Sequence, residues 1–548
     1  MKKILYLFIF MAFGWGCSDF LKEDAQNLTY VQSIEDLDQV LLGEGYMPTD
    51  MESIKSGVSA VPAWIHLLDD DVTYGLGTYA GSENASGVYG WQQNPFRGRL
   101  DADQYFIENK AWENLYRYIN ALNIILYELE EFKDEADYKR IKGEAHFLRA
   151  GYYWWLVNLY AKAYDKNTAA EDPGVPLKLS EKVEDKEEDG GFSRASVAEV
   201  YKQVVEDLQD AVQLLAGYGR KTVYRASEHA ARLFLSRVYL HMENYEGVIN
   251  ECDTILKNST YALQDYKFVG EGGVLVTKGS REVIFSQGGN NLRVYCGYDG
   301  ISQGNDLDLI GSLVPLFGGE LEEGQCELSK PCYVASEDLM EAFDNNEFFA
   351  DQKNSSDMRC INGFYDGLWV NMMTGAVEVT QGIPTKSGPT WASGSVSDCF
   401  TLRLAEVYLN MAEALAAIGK EDEANRLLLE LRGNRLTAQV DMTRHSGEKL
   451  MRAIRAERRL EFNFEGFRWF DLRRYAVNSV CPQKTSITHI WHSGGGEAPV
   501  VDSKYILGVY GEDAGWVMPL PDDEHRLNEN MVENEKRPER EDELSKKN

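Results

Sequence analysis

Between residues 105 and 257 the apolar positions recur every three or four residues. Trp112, Leu115, Ile119, Leu122, Leu126 and Leu129 form one series. Ile141, Ala145, Leu148, Tyr152, Trp155 and Leu159 form a second, and Val197, Tyr201, Val204, Leu208, Ala211 and Leu215 a third. Each set lines one face of a helix, so the spacing predicts three amphipathic helices sharing a core. Ser196 with Glu199 three residues later has the form of a capping box and marks the start of the third. The acidic stretch 181–189, followed by Gly190 and Gly191, lacks this periodicity and reads as a solvated loop.

Further along, the helices come in pairs. Ser227 predicts the cap of a helix running to His241, Asn244 and Tyr245 a turn, and a partner helix extends to Lys257. Ser236 and Tyr239 fall where a tetratricopeptide repeat places small and aromatic residues, with Val248 where Ala is usual. A second unit begins near Leu402, with Tyr408, Ala412, a turn at Gly419 and Ala424 in the partner helix; Leu415 departs from the pattern. A plain antiparallel helix pair satisfies the same spacing. Val248 and Ala424 hold equivalent places 176 positions apart, whereas tandem repeats recur at about 34 residues. The intervening 261–397 is rich in Gly, Asn, Ser and aromatics, with β-like runs such as 282–285. It reads as a large, irregular, loop-rich insertion on a helical scaffold, and such loops commonly carry function. Residues 61–100 form a second loop-like region.

Charge and the N-terminus narrow the classes. The 548 residues carry a formal net charge of −32, which repels nucleic-acid phosphates and anionic head groups. Lys2 and Lys3 precede a short apolar run, residues 4–13, too short to span a membrane and suited to an export signal. Cys17 follows directly and resembles a lipoprotein cleavage site, although Gly14 stands where Leu is usual and Trp15 is bulky. Ordinary cleavage that leaves an incidental Cys is the alternative. Seven cysteines remain, an odd number that cannot all pair. Cys326 and Cys332 are close enough in sequence to bridge, and no CxxC pair suggests structural zinc.

The HExxH motif of zinc proteases, the GxxxxGK[ST] phosphate loop and the GxGxxG dinucleotide-binding turn are absent from the sequence. The 88 acidic residues make chance carboxylate pairs inevitable. Asp69, Asp70 and Asp71, and Asp306 with Asp308, are the best clusters; both read as solvated loop, with a calcium site as the alternative. Aromatics on helices, such as Trp112, Trp155 and Trp469, read as core. Those in loops suit exposed sugar platforms: Tyr89 and Trp91, Tyr295 and Tyr298, Trp369 and Trp391.

One string is more specific. Residues 455–475 read RAERRLEFNFEGFRWFDLRRY and resemble the signature of the SusD/RagB family, surface glycan-binding lipoproteins of Bacteroidetes. The run from Glu144 to Ala150 with Tyr152, Tyr153 and Trp154, and Met518-Pro519-Leu520-Pro521 with Glu524 and Asn528, agree with that family. Physically the string reads as scaffold. Ala453, Ala456, Leu460 and Phe464 keep helical spacing, and Glu457, Arg458 and Glu461 suit ion pairs along one face. Gly466 suits a left-handed turn, and Phe467, Trp469, Phe470 and Leu472 form an apolar anchor. The resemblance implies a mainly α fold, a right-handed superhelix of tetratricopeptide-like pairs with the loop-rich lobe against it. It implies an outer-membrane lipoprotein, anchored at Cys17, that binds oligosaccharide for a SusC-like TonB-dependent transporter and is not an enzyme. A peptide-binding lid of the same transporter type is the first alternative, a surface glycoside-active enzyme the second. The expected division is a signal peptide 1–16, an N-terminal region 17–260, a ligand lobe 261–397, a C-terminal region 398–532 and a charged tail 533–548. No cofactor is expected beyond possible calcium.

Overall fold

The computed structural model describes residues 31–48, 61–74, 86–96, 110–182, 191–289, 292, 326–327, 333–370, 377–386, 396–493 and 500–540, apart from a few positions within them. The helices that build the frame are α1 (Ile34–Val40), α2 (Lys110–Glu128), α3 (Tyr138–Tyr160), α4 (Val197–Leu215), α5 (Glu228–His241) and α6 (Tyr245–Leu256). After these come α7 (Glu337–Asp344), α8 (Met358–Gly363), α9 (Leu404–Ala417), α10 (Glu421–Gly433), α11 (Gly447–Phe462) and α12 (Arg468–Val477). The chain is mainly helical, in tetratricopeptide-like pairs.

The expected start signals act as read. Ser196 and Glu199 form a reciprocal capping box on α4, and Ser227 caps α5 through the Ala230 N–H; Asn244, read with Tyr245 as a turn, caps α6, which already starts at Tyr245. Gly419 makes the α9–α10 turn at φ +81°, a conformation that only glycine adopts without strain.

The second helix differs from expectation. It is buried on nearly every side rather than along one stripe, because α2 and α4 pack on it from both flanks. Its polar residues are therefore paired with distant partners. Arg140 binds Asp38, Glu144 accepts from Arg225, and Arg149 and His146 both hold Asp207 on α4.

The two helix pairs that are far apart in sequence are neighbours in space, since α9 packs on α5 and α6. Arg237 of α5 donates two bonds to Glu406 of α9, at 2.6 and 2.7 Å, and Asn410 donates to Ser236 at 3.1 Å.

The 455–475 string forms α11, a reversal and α12. Phe464 and Gly466 both take positive φ, +53° and +72°. Its charges do not pair along one helix face as expected. They reach across the core: Glu461 accepts from Arg359, Arg403 and Arg435, and Glu457 from Arg359 and Arg432. Arg458 binds Asp471 and Asn410. A carboxylate this deep persists only with several charged donors around it.

Short strands gather the loops. In antiparallel pairs, β1 (Val72–Tyr74) lies on β4 (Tyr333–Ala335) and β2 (Val283–Ser286) on β7 (Thr401–Arg403). A third sheet has the order β3 (Cys326–Glu327), β5 (Phe364–Val370), β6 (Val377–Pro384), and β8 (Ile487–Ser493) pairs antiparallel with β9 (Val500–Leu507). β1 also contacts β8, so residues far apart in sequence meet at one place.

Candidate functional site

That meeting point is a column of aromatic rings. On β8, Ile487 and His489 face inward while Thr488 and Ile490 face out, the alternation of a strand with one buried side. His489 lies between two rings, with the Trp91 and Tyr89 centroids each 4.1 Å away and nearly parallel to it. Tyr89 tilts against Tyr333 at 5.2 Å, and Tyr74 stands edge-on to Tyr333 at 5.7 Å. Tyr74 then stacks on Trp491, 4.2 Å between centroids with 19° between planes. The column is graded. Tyr89 and Trp91 have no accessible surface, whereas Tyr74 and Trp491 at the other end are only half-buried.

The polar groups of the column are tied to backbone. The Trp91 indole N–H donates to the Leu68 carbonyl at 3.0 Å. The Tyr89 hydroxyl donates to the Ile490 carbonyl and accepts the Tyr74 N–H, both at 3.1 Å. His489 places Nδ1 and Nε2 each 2.8 Å from the carbonyls of Tyr89 and Asp69. Burial pushes its pKa down to about 4, against the pull of those two carbonyls.

Tyr89 and Trp91 are thus not the exposed platforms that their polar sequence neighbours suggested. Strands β1 and β8 cover them, and Trp91 even holds φ +46° to fit, a strained value for a bulky residue. They form the base of the column, and Tyr74 and Trp491, absent from the expected set, form its open end. The signal for Trp491 was the inward alternation His489-x-Trp491 before Gly494, Gly495 and Gly496. Trp369 lies on β5 in register with Glu378 of β6. Tyr295, Tyr298, Trp391, Asp306, Asp308, Cys332 and Cys17 lie outside the described residues.

The Asp69–Asp71 segment also departs from expectation, since it is a strut rather than a solvated loop. Asp69 and Asp71 are buried, Asp70 takes both ends of Arg468 at 2.7 Å, and Asp71 takes Arg459 at 2.7 Å. Burial beside its two acidic neighbours raises the Asp69 carboxyl well above its usual range. His66, Asp398 and Cys399 form another buried cluster, with Asp398 and Cys399 at 3.2 and 3.1 Å from the same ring nitrogen. A cavity of about 590 Å³ lies at the base of the β8–β9 hairpin and is lined in part by Lys162, Asn478, Tyr510, Asp513 and Trp516. Its aromatic groups are engaged: the Tyr510 hydroxyl accepts the Ala163 N–H and Trp516 donates to the Gly508 carbonyl.

Two family models match this sequence: one described as starch-binding associating with outer membrane over residues 75–240, and the SusD family over residues 340–536. The chain belongs to the SusD/RagB family. Both models cover elements of the column, Tyr89 and Trp91 in the first and β8 with His489 and Trp491 in the second. A SusD-like protein of Formosa agariphila is 26% identical over 277 residues, 47% of each chain, so the match spans about half the length of that relative. Among solved structures, a SusD superfamily protein from Bacteroides thetaiotaomicron superposes with a TM-score of 0.63 at 20% identity, covering 91% of this chain and 99% of its own. A SusD-like carbohydrate binding protein from Bacteroides vulgatus gives 0.61 at 19%, covering 91% and 97%. A laminarin-binding SusD-like protein gives 0.55 at 19%, covering 89% and 99%. At these identities the structural likeness establishes the SusD fold. Among the described residues no helix is long and apolar enough to cross a membrane.

Proposed function

We propose that this SusD-family chain binds oligosaccharide at the outer face of the outer membrane, anchored through lipid on Cys17, and passes it to a SusC-like TonB-dependent transporter. The observation that carries the binding reading is the half-open Tyr74–Trp491 pair at the end of an otherwise buried column. Sugars present flat C–H faces that rest on aromatic rings, with hydroxyls left for polar neighbours. A prebuilt column keeps the outer rings fixed, so little order is lost on binding. The laminarin-binding relative supports the ligand class, and the family description supports the location. Tyr295, Tyr298, Trp369 and Trp391 from the 261–397 lobe are proposed to extend the platform, and Asp306 with Asp308 to hold calcium. Hydrolysis needs a carboxylic acid and a carboxylate both facing substrate; Asp70 and Asp71 are committed to arginines instead.

Calorimetry of the purified protein against laminarin-derived and starch-derived oligosaccharides, and against mixed peptides, tests the reading. Binding to one glycan series at roughly millimolar to micromolar Kd is expected. Binding to peptides with no glycan response would overturn it in favour of a peptide lid. Mass spectrometry of the mature N-terminus tests Cys17, and crosslinking in intact cells tests the transporter.

A further inference from the structure

A second, smaller cavity has a different chemistry. About 190 Å³ in volume, it lies between α11, the start of α12, the residues just after α7 and the segment that follows α12. Arg452, Arg455, Arg459 and Arg468 line it together with Gln483, and Glu347 is the single carboxylate among its described lining residues. This wall is cationic in a chain of net charge −32.

Two of these arginines are already matched, Arg459 by Asp71 and Arg468 by Asp70. Arg452 is exposed and reaches Glu448 on its own helix, a pair that solvent screens. Arg455 is different. It is 3% exposed, and its Nη1 donates to the Cys481 carbonyl at 2.6 Å. Its Nε lies 3.5 Å from Glu413, and its buried Nη2 has no hydrogen-bond partner. Glu413 is itself taken by both terminal nitrogens of Arg474, and Asp471 is shared by Arg458 and Arg474. Three guanidiniums therefore share two carboxylates, and the surplus positive charge falls on Arg455, at the cavity wall. A buried cation without full counter-charge is costly unless an anion joins it. Gln483 adds a buried amide oxygen without a partner; a half-turn of the amide presents its NH₂ there instead.

We propose that this cavity binds a single oxyanion, a sulfate, phosphate or carboxylate group, on Arg455 with Arg452 at the mouth. The volume lies below that of clefts enclosing whole drug-sized ligands, so it suits a free ion or one charged substituent rather than an oligosaccharide. The site shares no residue with the Tyr74–Trp491 pair and stands or falls independently of it.

The test is thermal unfolding and calorimetry on the whole protein, with sulfate exchanged for chloride at constant ionic strength. Phosphate, galactose 6-sulfate and glucuronate are run as parallel arms. Wild type is expected to show a saturable rise in Tm with one binding site. Arg452→Gln, at the rim, is expected to raise the half-saturation concentration about two- to fivefold, and Arg455→Met to abolish the saturable phase. Because Arg455→Met alters the core and can prevent folding, Gln483→Leu is the second interior variant, with about tenfold weaker binding expected from the lost donor to a charged group. Tighter binding of either sugar anion than of inorganic sulfate assigns the group as a glycan substituent; the reverse order assigns a free anion, and both support the site. Identical, non-saturating Tm increases in wild type, Arg452→Gln and Gln483→Leu would reflect only the general exclusion of sulfate from protein surfaces and would overturn the proposal, as would no saturable response in any arm.

Discussion

The reversal of residues 455–475 and the aromatic column around His489 are joined through one strut. Asp70 and Asp71 hold Arg468 and Arg459 of the reversal, while the carbonyl of Asp69 holds His489 of the column. The two regions bury their polar groups in opposite ways. Around Glu461 every buried charge is answered by side chains of opposite charge drawn from several helices and loops. In the column the Trp91 and Tyr89 donors are answered by backbone carbonyls, and neutral His489 donates from one ring nitrogen to one of the two carbonyls beside it; the rings pass from a sealed base, where Arg540 lies over Trp91, to a half-open end. Around Glu461 no charge is left over for a ligand, and the surplus charge of the reversal lies apart from it, on Arg455; the column leaves aromatic surface at its rim. This contrast explains why the most recognisable string in the sequence is scaffold, while the proposed ligand contacts, Tyr74 on β1 and Trp491 on β8, lie on short strands without a motif.

The contrast can be broken by substitution. Glu461→Gln leaves Arg359, Arg403 and Arg435 short of a counter-charge and should cost about 3–5 kcal/mol, enough to remove cooperative urea unfolding at 37 °C. Tyr89→Phe removes one hydroxyl bonded to backbone and should cost about 1–3 kcal/mol. Equal losses in the two variants would mean that the regions do not differ as described.

Acid should separate the regions further. Burial pushes the Glu461 carboxyl up, but Arg435, Arg403 and Arg359 outweigh it and hold it well below the glutamate range. Its contribution is present above the unfolded value of about 4.3 and is lost only as pH falls further. His489 is pushed down to about 4 by burial, so the unfolded chain takes up that proton first, from about pH 6.5 downward. Stability contributed by the column therefore declines between about pH 6.5 and 4, by at most about 3 kcal/mol. His489→Gln should reduce this slope in urea titrations; buried His241, also pushed down, keeps part of it. An unchanged slope would show that His489 is not held neutral.

The smallest effect is expected at Lys386, which burial lowers to about 8 despite Glu465 beside it. The unfolded chain binds this proton more tightly, so the Lys386 contribution to wild-type stability should rise between pH 8 and about 10.5 as the mismatch disappears, against the opposite trend set by the buried Cys252 thiol, whose pKa burial pushes up. Lys386→Met should abolish that rise and stay within about 1 kcal/mol of wild type at pH 7, because Arg403 already binds both oxygens of Glu465. A loss of several kcal/mol would show that Lys386 is an essential member of the network.

The helices, their caps and the neighbouring repeat-like pairs were legible because 3.6-residue periodicity and capping chemistry are local. Ser196, Ser227, Asn244 and Gly419 act within a turn of where they sit. What could not be read was pairing at long range. Trp91 sits among Gly, Gln and Asn and reads as open, yet it is sealed by His489, almost 400 residues away. Asp70 and Asp71 read as solvated because their arginine partners lie equally far along the chain. The run Ile487–Ser493 is too short, and too mixed in polarity, to separate a strand from a loop without β9 beside it.

The central claim is that ligand rests on the open end of the column. Calorimetry of Trp491→Ala and Tyr74→Ala with the best oligosaccharide tests it most directly, with near-UV circular dichroism confirming that each variant is folded. Each should weaken binding about tenfold or more, a loss of about 1.4 kcal/mol, with Tm close to wild type. Folded variants that both bind like wild type would contradict the account.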